Sequence, residues 1–323
     1  MSRTFIKRLL SCFLLSATVC AQESGKIQQA PVPQVQSPRS QSLQTQSPQA
    51  QPQLPALDLV KLTVTREIAA ANGPGVHHMF RSHKTTPKGS QTRLYVETAD
   101  AMAGMLIAAN DQPLNAQQQQ AEKDHLNWLA GNPEQLKKKH AREKDDAEHT
   151  MRIMRALPYA FRFEYVPLQP GDEQQVKGGD ELVRLNFTPN PAYSPPSRVE
   201  QVLQGMNGFL LIDATARRIA RIDGTLFREV SFGWGIVGHL DKGGHFMVQQ
   251  SDVGGSWEIT EMRLQITGKI LFVKTISMTS DEKFSDFHQV PGDLSFAKGV
   301  DLLLAEQEKL ARNMPGEPVK KLQ

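Results

Sequence analysis

The chain has 323 residues, 37 basic and 34 acidic, with two cysteines, 23 glycines and 20 prolines, a length that suits one large domain or two small ones. Arg3, Lys7 and Arg8 precede the first acidic residue, Glu23, and without them the balance is 34 against 34. A neutral body with no long basic stripe is a poor electrostatic match to nucleic acid, where affinity comes largely from neutralising phosphates.

Residues 1–21 read as a secretory signal peptide: three basic residues, an apolar stretch from Leu9 to Val19, then Val19-Cys20-Ala21, with small residues at a cleavage site after Ala21. The apolar run stops well short of the about 20 residues that a membrane anchor needs. A lipoprotein reading would modify Cys20, but Ala17-Thr18-Val19 lacks the leucine and the small residue expected before that cysteine. Cys12 and Cys20 both lie in the segment to be removed, so the mature chain has no thiol, and thiol catalysis, thiolate metal sites and disulfides are excluded. Gln22 to Ala56 is mostly Gln, Pro and Ser without an aromatic residue, and is predicted to be a disordered, partly polyproline-extended linker.

The folded part is predicted over 57–312, with a flexible tail at 313–323. Leu57, Val60, Leu62, Val64 and Ile68 fit a helix ended by Asn72-Gly73-Pro74, against the β-branched Thr63-Val64-Thr65. Val76 to Lys84, Thr92 to Thr98 and Met102 to Ala109 read as an antiparallel meander turning at Pro87-Lys88-Gly89 and Ala99-Asp100. Two helices follow. Asn115 with Gln118 forms a capping-box pattern for the first, and Asn132-Pro133 starts a second that runs to about Leu157, its charge run from Lys137 to His149 reading as a solvated face.

After Pro158 the period switches to two, which would place Tyr159, Phe161, Phe163 and Tyr165 on one sheet face. Further strands are predicted at 182–187, 209–213, 218–226, 229–232, 245–250, 257–266 and 269–278, with turns at Gly178-Gly179, Asp223-Gly224, Lys242-Gly243-Gly244, Gly254-Gly255 and Gly268. The alternation of Trp257 and Ile259 is out of phase with Met262, Leu264 and Ile266, so a bulge is predicted near Thr260-Glu261. The fold class is α+β: a strongly curved antiparallel sheet, or half-barrel, covered by a few helices.

Several patterns have a chemical and a plain reading. Gly233-Trp234-Gly235-Ile236-Val237-Gly238 matches a dinucleotide fingerprint, but Lys242-Gly243-Gly244 leaves no room for the helix that would meet a pyrophosphate. Glu122-x-x-His125 has the spacing of half a di-iron site, for which Asp146-x-x-His149 is the other candidate; surface polar residues are the commoner meaning. His77, His78 and His83 lie close together with no carboxylate in the run, and exposed strand histidines are commoner than metal ligands. Phe187 to Pro196 is a rigid proline segment that crosses the sheet mouth or presents Tyr193 as a docking element. No metal ligands, cofactor or catalytic residues are assigned. The apolar face then carries the functional expectation. Phe161, Phe163, Leu185, Phe187, Phe232, Trp234, Phe246, Trp257, Leu264 and Phe272 are the candidates to line a concave interior, with the two mid-chain helices as its lid.

The order of elements, with Gly205 to Asp213, Phe232-Gly233-Trp234-Gly235 and Gly255-Ser256-Trp257-Glu258 in the meander, resembles the LolA/LolB-like periplasmic lipoprotein-localisation superfamily over roughly Leu57 to Leu304. The resemblance implies a periplasmic half-barrel, closed by helices, that holds acyl chains of lipoproteins or other amphiphiles. The expectation is a non-enzymatic exported binding protein for an acyl chain, lipoprotein or amphiphile, peripheral to the membrane at most. The alternatives are an envelope scaffold with a packed cavity, engaging a protein partner through a sheet edge or the proline segment, and, last, a secreted hydrolase.

Overall fold

The computed structural model describes residues 54–172, 181–232, 237–270 and 274–313. The signal peptide, the linker up to residue 53, the Gly178-Gly179 turn, Trp234, Phe272 and the tail from 314 lie outside the described residues.

Helix α1, Ala56–Asn72, forms despite its β-branched stretch because Leu59, Val60, Thr63, Val64, Glu67, Ala70 and Ala71 fall on one face, which is buried. The meander follows as β1 His77–Thr86, β2 Gly89–Val96 and β3 Ala103–Ala109, with a two-residue β4 at Gln112–Pro113. Helix α2, Ala116–Ala130, starts on the predicted capping box: the Gln118 N–H donates to Asn115 Oδ1 at 2.9 Å and the Asn115 N–H to Gln118 Oε1 at 3.0 Å.

Helix α3, Pro133–Ala160, is longer than expected. Pro158 sits inside its last turn, and Tyr159, the last residue but one, has 61% of its surface exposed. Only Phe161, Phe163 and Tyr165 of the aromatic series belong to β5, Phe161–Val166. A proline in a final turn forfeits one N–H but leaves later helical positions open, so it marked the boundary two residues early.

The rest of the sheet comprises β6 Leu182–Pro189, β7 Met206–Asp213, β8 Arg218–Leu226, β9 Val230–Phe232, β10 Gly238–Leu240, β11 His245–Val253, β12 Ser256–Ile270 and β13 Lys274–Val290. Between β6 and β7 lie a single helical turn, α4 Arg198–Gln201, and a 3₁₀ turn at Val202–Gly205. The last described element is α5, Phe296–Asn313, for which the sequence analysis gives no helix. All thirteen strands join one antiparallel sheet in the order β4-β3-β2-β1-β13-β12-β11-β8-β7-β6-β5, with β9 and β10 attached at the end of β12. The sheet is open, with β4 and β5 at its edges, and is not closed into a barrel.

The predicted bulge is present. Gln249 pairs with Glu261 and Gln250 with Ile259, so Thr260 is the extra residue. Gly268 is no turn: β12 continues through it, opposite Leu240 of β10. A Cβ there would stand 2.2 Å from the His239 carbonyl oxygen, so glycine permits two strands to meet closely.

Helices cover both faces, not one. The main cluster joins α1 and the C-terminal half of α3 to Phe80, Leu185, Leu210, Ile212, Ile219, Leu264 and Phe284. On the other face of β2 and β3, Leu94, Val96 and Met105 pack against Leu126 of α2 and against Phe296, Val300 and Leu303 of α5. Asp100 in the β2–β3 turn accepts the Phe296 N–H at 2.8 Å and so fixes the start of α5. Of the two mid-chain helices expected as a lid, only α3 lies over the main cluster; α2 belongs to the other.

Candidate functional site

The predicted apolar residues are partly brought together. Phe161, Leu185, Phe187 and Leu264 are buried in the main cluster, and Phe163, Phe232 and Phe246 pack against it half-buried. Phe161 and Phe187 pair across strands with ring centroids 4.6 Å apart, and Phe163 meets Phe161 edge-on at 6.4 Å. Trp257 is elsewhere. It packs with Leu211 and Ala220, and Leu211 points away from the face that carries Leu210 and Ile212. The Arg218 guanidinium lies 5.5 Å from its ring centroid.

Under α3 the apolar face encloses a void of only about 40 Å³. Phe161, Phe187 and Phe246 line it together with Ile153, Met154 and Leu157 of α3, which the sequence reading had not singled out. Ligand pockets typically measure about 300–1,000 Å³, so this void is too small to hold one.

One element reinforces that closure. Glu67 of α1 and Arg218 of β8, 2% and 3% exposed, make a two-pronged ion pair, with Nε and Nη2 each 2.9 Å from a carboxylate oxygen. Glu67 Oε1 also accepts the Ile219 N–H at 2.8 Å. These bonds pin α1 to the sheet beside α3.

The outer side of α3 is different. Between α3, the end of α1 and the segment from Tyr193 to Glu200 lies an open cleft of about 1050 Å³. Its α3 wall presents His140, Lys144, Ala147, Glu148, Met151, Arg152, Arg155, Ala156 and Tyr159, which recur at near-helical spacing. Tyr193, Ser194, Pro196 and Glu200 form the facing wall, where the proline segment passes. Asn190 holds that segment in place: its N–H donates to the Ala160 carbonyl at 2.8 Å and its side-chain Nδ2 to the Tyr159 carbonyl at 2.9 Å. The Tyr193 N–H closes the turn onto the Asn190 carbonyl at 3.0 Å. Of this wall, the sequence reading identified Tyr193.

Partnering within the cleft is uneven. His140 bonds through Nδ1 to the Asp100 carbonyl, and Lys144 lies 4.0 Å from Glu148. Arg152 and Arg155 are exposed and meet no carboxylate among the described residues. Glu200 is only 4% exposed, and its Oε2 has no hydrogen-bond partner among the described residues. Burial, followed by the nearby Glu200 charge, pushes the Tyr193 phenol above its ordinary range, keeping it protonated.

Glu122 accepts the Leu106 N–H at 2.9 Å, and His125 stacks on Trp128. His78 is buried with Nδ1 3.2 Å from Glu258 Oε1, while His83 bonds Thr92 through Nδ1 at 3.0 Å, so the histidine run diverges. The carboxylate beside His78 comes from a distant strand, which the local sequence could not show. Gly238, the last glycine of that motif, begins β10, which pairs antiparallel with β9, while residues 233–236 lie outside the described residues. Among the described residues, Glu229, His239 and Asp241 bring ligand atoms within 4.8 Å of one another on this hairpin; His239 and Asp241 also form a 3.3 Å ion pair. Comparison with family models, with curated proteins and with solved structures finds no match to this chain. No helix among the described residues is long and apolar enough to cross a membrane.

Proposed function

We propose that the protein is an exported, non-enzymatic interaction module that receives a polypeptide segment of an envelope partner in the cleft beside α3. The contrast between the two sides of α3 carries this reading: an inner void of about 40 Å³ against an outer cleft of about 1050 Å³. Tyr159, Tyr193, Arg152 and Arg155 are of the residue types that dominate binding energy at protein interfaces. The proline segment begins within β6, which ends at Pro189, and Asn190 then ties it to the end of α3, so little order has to be gained on binding.

The scaffold in this proposal is a half-barrel of the LolA/LolB-like kind, exported by the N-terminal signal sequence. A single apolar cluster that includes both Phe80 of β1 and Phe161 of β5, far apart in strand order, favours a sheet curled about α1 and α3. An acyl chain would have to lift α3 to enter that interior.

Panning a displayed random-peptide library against the protein and against Ser194→Trp tests the reading. Ser194 is exposed on the cleft wall, so a bulky ring there fills the cleft without entering the core. Peptides recovered on the native protein and lost on Ser194→Trp are expected, with no stoichiometric uptake of palmitate by calorimetry. Palmitate binding at one equivalent that Ser194→Trp leaves intact would replace this reading with the amphiphile carrier.

A further inference from the structure

We infer that the occupant of the α3 cleft is dipolar: a peptide segment that offers an ammonium group to Glu200 and a carboxylate to Arg152 and Arg155. The inference rests on the cleft being the binding site and goes further, in naming the charges the partner must carry.

The reasoning starts from Glu200. A carboxylate taken out of water is costly unless hydrogen-bonded or paired. Glu200 is buried against the cleft, and its Oε2 has no partner in the described structure. The basic side chains that line the same cleft do not serve it: Lys144 sits by Glu148, and no ion pair joins Glu200 to Arg152 or Arg155. The Tyr193 phenol beside it is neutral, kept protonated by burial first and by the Glu200 charge second. Glu200 is therefore a preformed acceptor that lacks a donor, and a primary ammonium is the donor that also neutralises its charge.

The arginines make the complementary case. Arg152 and Arg155 are three apart on α3, so their guanidinium groups emerge from one side of the helix. Both border the cleft and neither is paired among the described residues. Guanidinium groups bind carboxylates in two-pronged fashion. Ala147, Met151 and Ala156 between them give a small apolar floor, and Tyr159 and Pro196 give flat walls. Such a surface suits a short extended peptide better than a lone ion.

Four pools of fluorescent ten-residue peptides test this by anisotropy on the full chain. All are built from Ala, Ser and Gly; one carries a lysine and two aspartates, one the lysine only, one the aspartates only, and one neither. The dipolar pool is expected to bind about tenfold more tightly than either singly charged pool. Glu200→Gln should abolish the advantage given by lysine and leave that given by aspartate, and the double variant Arg152→Gln/Arg155→Gln should do the reverse. Circular dichroism melts confirm that each variant is folded; if Glu200→Gln is not, Tyr193→Phe with the lysine-only pool reads the same subsite. Equal affinity of all four pools, with binding still lost in Ser194→Trp, overturns the dipolar inference and leaves the cleft reading standing. Pools that bind with no sensitivity to Ser194→Trp overturn both. Lysophosphatidylethanolamine micelles provide the lipid arm: if they show the same variant dependence while the peptides do not bind, the peptide class is wrong.

Discussion

The two sides of α3 put the same helix to opposite uses. Its inner side, with Ile153, Met154 and Leu157, packs onto the sheet until about 40 Å³ is left, and Glu67 nearby is locked to Arg218. Its outer side borders about 1050 Å³, and among the described residues Arg152, Arg155 and the Glu200 Oε2 have no partner there. Among the described residues the Glu67 carboxylate is paired and the Glu200 Oε2 is not. In the proposed function this difference divides the helix into a face for stability and a face for recognition.

That separation breaks down if substitutions on the two sides cost alike. Glu67→Ala should have the largest effect, about 3–5 kcal/mol of unfolding free energy, because it strands the buried Arg218 guanidinium. Urea denaturation measures it, and a loss under about 1 kcal/mol would mean that α1 is not anchored by this pair. Leu157→Ala, which widens the void, should cost about 2–5 kcal/mol in the same assay. Asn115→Ala removes the cap of α2 and should cost about 1 kcal/mol. On the outer side, Arg152→Gln and Arg155→Gln should each stay within about 0.5 kcal/mol of the parent.

A pH test sharpens the same contrast at the middle of α3. Burial raises the Asp146 carboxyl above its usual range, with His149 pulling the other way and Asp145 and Glu143 adding to the rise. The folded state thus holds this proton more tightly than the unfolded chain. Its contribution is fully present below the unfolded carboxyl pKa and is lost as pH rises through the folded one. Asp146→Asn should therefore melt slightly higher than the parent near neutrality, the two converging in acid. A neutral-pH melting point below that of the parent would contradict this.

Local signals were legible wherever the responsible groups are neighbours in sequence. The Asn115 and Gln118 box and the Thr260 bulge each depend on residues within a few positions, and both stand as read. Gly268 misled because its small size answers to β10, a partner with no local trace. Helix α5 did carry a signal, the helical spacing of Phe296, Val300 and Leu303, which was not used. Strand β13 runs to Val290 through Ser280-Asp281-Glu282-Lys283, where an exposed face removes the apolar alternation that marks a strand. The cleft was the least legible feature. Of its α3 residues, His140, Lys144 and Glu148 fall in the charge run that reads as a solvated face and Tyr159 reads as part of a strand, and only the fold sets Glu200 and Tyr193 across from Arg152 and Arg155.

Amide hydrogen exchange with and without a saturating dipolar peptide tests the central claim most directly. Binding in the cleft predicts slowed exchange over 193–205 and along the second half of α3, with the amides of β6, β7 and β8 unchanged. Protection spread over those strands, with faster exchange in α3 as it lifts from the sheet, would place the ligand in the interior and contradict the account.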